Sequence, residues 1–241
     1  ILACPHGMKG VDRRQEKVFA LAGLCGICLY YLLENIALTC TLASNVGVII
    51  SAAPFFTAIL SRLFMKSEGK LGPAFFIGFG VAMAGILMIS LNGSGPELNP
   101  AGDILALLAA FVWACYSILM RKIGDFGYPV ILATRRTFFY GILFMVPALF
   151  VFDCKIGAER FADGTVMFNL LYLGLGASAL CFVTWNFAVH VLGAVRTSVY
   201  IYMVPVITVV TSALVLKEPV TWMSAGGTVL AVAGLFISAK Q

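Results

Sequence analysis

Charged residues are scarce in this chain of 241 residues: they make up 11% of it, whereas hydrophobic residues make up 61%. A soluble domain carries about 25% charged residues, so this chain lacks the polar surface that would cover it in water. Its mean hydropathy is correspondingly high, at +1.00. The composition therefore excludes a soluble globular domain and predicts a protein embedded in a membrane.

Motifs of catalysis are also absent. The sequence has no H-E-x-x-H, no G-x-S-x-G and no pair of aspartates within an apolar run, which counts against a membrane-embedded enzyme. It has no G-x-x-x-x-G-K-[ST], which excludes a nucleotide-driven pump for this chain. Since it has two histidines and no clustered metal ligands, no metal, cofactor or nucleic-acid partner is expected.

Long apolar runs are what the sequence does contain. Each is about 20 residues long, the length a helix needs to cross about 30 Å of hydrocarbon, and none shows the period-2 alternation of a barrel strand. The sequence therefore predicts an all-α membrane protein whose eight transmembrane helices, numbered one to eight, cover 18–40, 45–65, 72–91, 103–122, 130–152, 167–190, 197–216 and 220–238.

The chain also resembles itself across about 150 residues. Asn35 matches Asn186 and Pro54 matches Pro205, both at a separation of 151, and after a two-residue gap Gly85 matches Gly234. Small residues recur in matching stripes on spans three and eight, where we expect close helix packing. Internal repeats of apolar helices are typical of secondary transporters, whose substrate site lies at the repeat interface.

Basic residues are distributed unevenly between the two sides. If the segment before span one is cytoplasmic, thirteen of the sixteen Lys and Arg residues face the cytoplasm, and only Lys155, Arg160 and Lys217 do not. Cationic residues favour that side, so both this orientation and a cytoplasmic C-terminus are predicted. Span one matches span six, five crossings later, and the two copies must therefore be inverted.

The repeat is incomplete, because spans four and five have no partners in the first half. Moving Phe152 back by 151 positions gives residue 1. We therefore expect two further helices upstream in the natural protein, with Ile1 and Leu2 as the end of the second. A stable eight-helix protein is the alternative.

Several short segments resemble a known repeat: Glu34-Asn35-Ile36-Ala37-Leu38, Pro54 with its apolar run, Trp113-Ala114-Cys115-Tyr116, Arg135-Arg136, and Lys217-Glu218-Pro219. They are similar to the EamA-type repeat of the drug/metabolite transporter superfamily. The resemblance implies a ten-helix bundle of two inverted five-helix repeats around a central cavity. Residues 1–92 would then be the remainder of the first repeat, with three helices, and 103–241 the second repeat, with five.

Glu34 is the only acid deep within a predicted span. A carboxylate there costs about 3 kcal/mol or more, so it should face a cavity, bind a partner or be protonated. Such a group suits proton coupling or the neutralisation of a substrate amine. The alternative is a carboxylate near the helix end that snorkels or bonds to a neighbour.

Other polar and aromatic residues on the matched spans complete the candidate site. The predicted substrate-binding residues besides Glu34 all lie within spans one, two, four, six and seven: Tyr31, Asn35, Asn45, Ser51, Trp113, Asn186 and Tyr202. We expect the paired asparagines to face the interior, where the modest strength of such polar contacts favours helix packing over substrate binding as their role. Pro54 and Pro205 are predicted hinges, because proline frees a carbonyl and kinks its helix. Arg135 and Arg136 could bind an anionic group or snorkel to the cytoplasm.

These observations favour a secondary transporter in the inner or plasma membrane. The resemblance implies an exporter of amino acids or other small metabolites or drugs that works by alternating access. Its expected partners are a small-molecule substrate and the lipid bilayer, with proton coupling through Glu34 as a further hypothesis. A non-transporting scaffold or sensor, and a membrane-embedded enzyme, are the alternatives.

Overall fold

The computed structural model describes residues 11–41, 43–65, 72–91, 99–152, 163–211, 213–214 and 221–239, with the side chains of 43, 44 and 208 excluded. Eight helices in these ranges are long and apolar enough to cross a membrane, and no strand occurs there. The predicted all-α membrane class is therefore confirmed. The helices are α1 Arg13–Cys40, α2 Asn45–Phe64, α3 Pro73–Ser90, α4 Pro100–Gly124, α5 Val130–Val151, α6 Gly164–Leu192, α7 Ala194–Thr211 and α8 Trp222–Ala239. The Lys217-Glu218-Pro219 link and residues 1 and 2 lie outside the described residues.

Short polar signals set the helix boundaries. The Asn99 side chain caps α4 by accepting hydrogen bonds from the backbone N–H groups of Ala101 at 3.2 Å and Gly102 at 3.4 Å, which satisfies donors that have no partner in the first turn. Asp163 caps α6 in the same way through Thr165 N at 2.8 Å. Between α6 and α7, Gly193 adopts a φ of 88°, a conformation that suits glycine and lets the chain reverse without a loop.

Among the described residues, the core consists of two large groups of packed side chains and a small third group of Ala37, Val46 and Ala106. One large group contains Tyr116 and Phe182 and joins α1, α4, α5 and α6, together with Leu60 of α2 and Ala194 of α7. The other is centred on Phe75 and Tyr202 and joins α2, α3, α7 and α8. Each group takes helices from both halves of the sequence, so neither half forms a separate core.

Helices α3 and α8 form a close antiparallel seam. A β-carbon added at Gly78 would lie 2.6 Å from the Gly234 carbonyl oxygen, and one added at Gly85 would lie 2.5 Å from that of Gly227. Gly78 thus faces Gly234, and Gly85 faces Gly227. Exchanging the two copies of the repeat gives the same two pairs. The small-residue stripes pack the helices together, as predicted.

Departures from regular α-helix recur at matching places in the two halves. Residues Leu24–Leu29 of α1 are π-helical, and so are Tyr172–Leu180 of α6; the repeat offset of 151 maps 24–29 onto 175–180. In α2 the helix is interrupted by a turn at Ser51 and Ala52, and in α7 by a 3₁₀ turn at Tyr200–Tyr202. Because these irregularities coincide, the duplication extends to backbone geometry, beyond residue identity.

Candidate functional site

The two copies meet at an aromatic contact between equivalent residues. Tyr31 of α1 and Phe182 of α6 are 151 positions apart, and their ring centroids lie 6.2 Å from each other. Each ring belongs to the second residue after the π-helical segment of its helix. Since π-helical segments often occur at functional sites, this contact locates a candidate site at the junction of the two halves.

Six side chains around this contact form what we call the aromatic cluster: Tyr30, Tyr31, Trp113, Tyr116, Phe182 and Trp185. Trp113 of α4 is at its centre, with ring centroids at 4.7 Å from Tyr30, 5.2 Å from Trp185 and 5.6 Å from Phe182. The rings are tilted or edge-on to one another, the arrangements that aromatic pairs prefer. The cluster therefore forms a continuous wall across α1, α4 and α6.

Glu34 lies at the edge of this wall. The Tyr30 hydroxyl, one turn earlier on α1, donates a hydrogen bond of 3.1 Å to the Glu34 Oε1, and the carboxylate is partly buried. Of the alternatives for this acid, the structure shows the bond to a neighbour. The bond holds the carboxylate beside the Tyr30 ring, where a positively charged group would meet both.

A hydroxyl pair joins α1 to α6 beside the same contact. The Tyr31 hydroxyl and Ser178 Oγ lie 3.4 Å apart, within hydrogen-bond distance. Ser178 and Phe182, which lie four residues or one helical turn apart, are both absent from the predicted set. The π-helical segment of α6 thus contributes a polar group to the site.

The side-chain oxygen and nitrogen of Asn186 both form hydrogen bonds within the protein. Asn186 is 3% exposed; its Oδ1 accepts a bond of 2.8 Å from the Tyr116 hydroxyl, and its Nδ2 donates one of 2.9 Å to Thr134 Oγ1. Hydrogen-bonded polar groups in the interior fix the packing of the helices that carry them. This geometry favours the packing role, and Tyr116 and Thr134 are its two partners that sequence reasoning missed.

Asn35 differs from the prediction that the matched asparagines share an interior environment. Its side chain is exposed, and its Nδ2 donates to the Tyr31 carbonyl of its own helix at 2.7 Å. Asn186 bonds to side chains of α4 and α5, whereas the described bond of Asn35 is to the backbone of its own helix.

The remaining predicted residues lie away from the aromatic cluster. Asn45 donates to Thr41 Oγ1 at 3.3 Å, at the junction of α1 and α2. Ser51 is buried and bonds to the Gly47 carbonyl of its own helix at 2.7 Å. Tyr202 belongs to the second core group, where it is completely buried. The structure thus brings together Glu34, Tyr31 and Trp113, and leaves these three elsewhere.

Both predicted hinge prolines follow a helix interruption by a few residues. In α2, Ala52 N bonds to the Ile49 carbonyl at 3.0 Å in a tight turn before Pro54. In α7, the 3₁₀ turn at Tyr200–Tyr202 precedes Pro205. Proline lacks the N–H that would continue the α-helical pattern, so the interruption and the proline belong together.

Arg136 is held by an acid that the sequence reasoning had placed outside span one. Its Nε and Nη2 donate to the two Glu16 carboxylate oxygens at 3.1 Å and 2.7 Å, and the Tyr140 hydroxyl also donates to Glu16. The predicted helix began at 18, but α1 begins at Arg13. A bidentate pair of this kind is oriented as well as charged, so Arg136 clamps α5 to α1 rather than standing free.

Among the residues that the structure describes, the Trp185 Nε1 and the Tyr202 hydroxyl are buried without a hydrogen-bond partner. The first belongs to the aromatic cluster, and the second lies at the interruption of α7. Searched over the same described residues, His, Cys, Asp and Glu form no group of three that could hold a metal ion.

The membrane-spanning helices define a multi-pass helical membrane protein, and its two related halves meet at the aromatic cluster. The profile of the EamA-like transporter family matches residues 1–91 and 100–239. The chain therefore belongs to the EamA-like transporter family, and the family indicates a membrane transporter rather than an enzyme.

Individual relatives agree with this assignment. An uncharacterized transporter of Archaeoglobus fulgidus is 27% identical over 92% of this chain and 76% of its own length. A probable amino-acid metabolite efflux pump of Salmonella typhimurium is 29% identical over 81% and 67%. A probable terminal-alkyne amino-acid exporter of Streptantibioticus cattleyicolor is 25% identical over 98% and 77%. A solved crystal structure has the same fold, with a TM-score of 0.79 at 19% identity, covering 99% of this chain and 81% of that one.

Proposed function

We propose that this protein is a secondary transporter that exports amino acids or related small amphipathic metabolites by alternating access. The observation that carries the proposal is the aromatic cluster, which joins both halves at Tyr31 and Phe182 and has the Glu34 carboxylate at its edge. A substrate held at such a junction can be exposed to either side when the halves rearrange. The amino-acid exporters among the relatives support the substrate class.

The chemistry of the site suits a substrate with an ammonium group and an apolar part. Glu34 supplies the opposite charge, and the faces of Tyr30 and Trp113 attract a cation that lies within about 6 Å of a ring. The apolar part of the substrate would contact the remaining rings of the cluster. An anion without an amine would meet the Glu34 carboxylate and be repelled.

Proton coupling follows from the same carboxylate. Protonated Glu34 carries no charge to hold an ammonium group, so a proton and the substrate amine compete for it. A proton that binds from the acidic side would release the substrate there and would then be carried to the other side. The transporter would thereby use a proton gradient to drive export.

Movement would occur at the interrupted helices. We assign Pro54 and Pro205 as hinges because each follows a break at the matching place in its copy. Bending at both would reorient the halves of α2 and α7, which belong to the second core group. The glycine seam of α3 and α8 in that group is too close to permit sliding, so it would act as a fixed support.

The proposal is tested by transport of radiolabelled L-leucine in proteoliposomes containing the purified protein, at several pH values. We expect Glu34→Gln to lower leucine transport about tenfold or more and to remove its pH dependence, since losing a charged partner within a membrane site costs at least about 1.4 kcal/mol. Asp125→Asn is the control, because Asp125 forms an exposed pair with Arg121 at the helix end. Transport by Glu34→Gln at the wild-type rate and with the wild-type pH profile would remove Glu34 from the mechanism.

A further inference from the structure

We propose that the Trp185 indole N–H is a hydrogen-bond donor to the substrate, and that it selects amines that also carry a carboxylate or carbonyl oxygen. This inference rests on the proposed function and refines its substrate class. Trp185 would then determine specificity within the site, whereas Glu34 binds the amine.

The first observation is that the Trp185 Nε1 has no hydrogen-bond acceptor within the part of the chain that the structure describes. Its neighbour Asn186 shows the usual state of a buried polar group, with both its oxygen and its nitrogen bonded. Buried donors are nearly always paired, and an unpaired one calls for an explanation. A donor left free beside a substrate site is explained if the substrate supplies the acceptor.

The second observation is the position of Trp185 in the repeat. It lies 151 residues after Glu34, so the two side chains occupy equivalent places in the two copies. Trp113 connects them: its ring centroid is 4.7 Å from that of Tyr30, which holds Glu34, and 5.2 Å from that of Trp185. One copy thus places an acceptor on the aromatic wall, and the other copy places a donor there.

These two positions differ in chemistry although they are equivalent in the fold. A carboxylate on α1 attracts a cation, and an indole N–H on α6 attracts an oxygen acceptor, so the wall is polarised from one copy to the other. The Trp185 Nε1 is covered by protein in this conformation; the acceptor would reach it when the halves rearrange around the substrate. A site whose buried donor needs an acceptor discriminates against analogues that lack one.

The test uses three probes of matched shape: L-leucine, 3-methylbutylamine, which lacks the carboxylate, and 4-methylpentanoate, which lacks the amine. Equilibrium binding to the purified full chain in proteoliposomes is measured for the wild type, Trp185→Phe and Glu34→Gln. Trp222→Phe is the matched control, because Trp222 is 94% exposed at the start of α8. Replacement of Trp185 by 3-benzothienylalanine removes the N–H while keeping the size of the ring system, which covers the case that Trp185→Phe does not fold.

We expect the wild type to bind L-leucine about tenfold or more tightly than 3-methylbutylamine, as one hydrogen bond to a charged group implies. Loss of the N–H at position 185 should weaken leucine binding about tenfold and leave 3-methylbutylamine within about threefold of the wild type. Glu34→Gln should weaken both amines, and Trp222→Phe should weaken neither. This pattern separates the two roles.

Two other outcomes would contradict the inference, and one of them would also contradict the proposed function. If the wild type binds leucine and loss of the N–H weakens leucine and 3-methylbutylamine equally, Trp185 does not read the acceptor, and this inference is overturned while the proposed function stands. If the wild type binds none of the three probes, the proposed function fails, and the inference fails with it.

Discussion

At the scale of single residues, two tyrosines show how differently a buried hydroxyl can be treated. Tyr116 and Tyr202 are both 0% exposed. The Tyr116 hydroxyl bonds to Asn186 at 2.8 Å, whereas that of Tyr202 has no partner within the described ranges. A buried hydroxyl stabilises a fold only when it is paired, so the two should respond oppositely to its removal.

Replacing each tyrosine by phenylalanine tests this contrast. We expect Tyr116→Phe to lower the free energy of unfolding by about 0.5–2 kcal/mol, since it leaves the Asn186 oxygen without this donor. Tyr202→Phe should leave stability unchanged or raise it, because an unpaired buried hydroxyl is removed. Thermal unfolding of the purified protein in detergent measures both. Equal losses of stability would show that the Tyr202 hydroxyl is paired after all.

At the scale of elements, two equivalent glycines occupy opposite environments. A β-carbon at Gly23 of α1 would lie 2.5 Å from the Thr137 carbonyl oxygen of α5, so these helices pack at backbone contact. Gly174 of α6 is its equivalent at the repeat offset, and a β-carbon there would meet nothing within 4 Å. The same residue type is thus required in one copy and unconstrained by neighbours in the other.

Substitution by alanine should separate the two glycines. Gly23→Ala forces α1 and α5 apart, and overpacking of this kind costs about 1–3 kcal/mol, so its melting temperature in detergent should fall. Gly174→Ala in the same background serves as the matched control and should melt at the wild-type temperature or above. A Gly23→Ala protein as stable as the wild type would contradict the tight contact between α1 and α5.

The elements also show what the sequence could and could not reveal. The eight helices were predictable because apolar length is a local property, and the breaks near Pro54 and Pro205 were signalled by the missing N–H of proline. The π-helical segments were not, since no residue type marks a change of hydrogen-bond partner. The bond between Tyr116 and Asn186 joins residues 70 positions apart, and only tertiary packing brings them together. Glu16 was missed because a charged stretch is typical of a loop, whereas here it forms the first turn of α1.

At the scale of the whole molecule, the two core groups interleave the halves of the sequence. The group around Tyr116 takes α1 and Leu60 of α2 from the first half, and α4, α5, α6 and Ala194 of α7 from the second. The bidentate pair of Glu16 with Arg136 strengthens this connection between the halves. Because each group mixes both copies, we expect a movement of one helix in a group to affect helices of the other copy.

Orientation in the membrane is a property of the whole molecule, and labelling tests it. We expect Lys122→Cys, at the end of α4, to react with a membrane-impermeant maleimide only from the cytoplasmic side, because basic residues favour that side. Asp163→Cys, at the start of α6, should react only from the outside. Both substitutions are made in a version with the native cysteines replaced by alanine. Reaction of the two positions from the reverse sides would invert the predicted topology.

The position of the candidate site depends on the number of residues in the π-helical segments. Each segment holds more residues than the same rise of α-helix would, and an α-helix turns by about 100° per residue. Shortening Leu24–Leu29 by one residue would therefore rotate Tyr30, Tyr31 and Glu34 together off the wall, while leaving every one of them in the sequence. The proposed recognition surface thus depends on the π-helical segments of both copies as much as on the identity of the side chains that it displays.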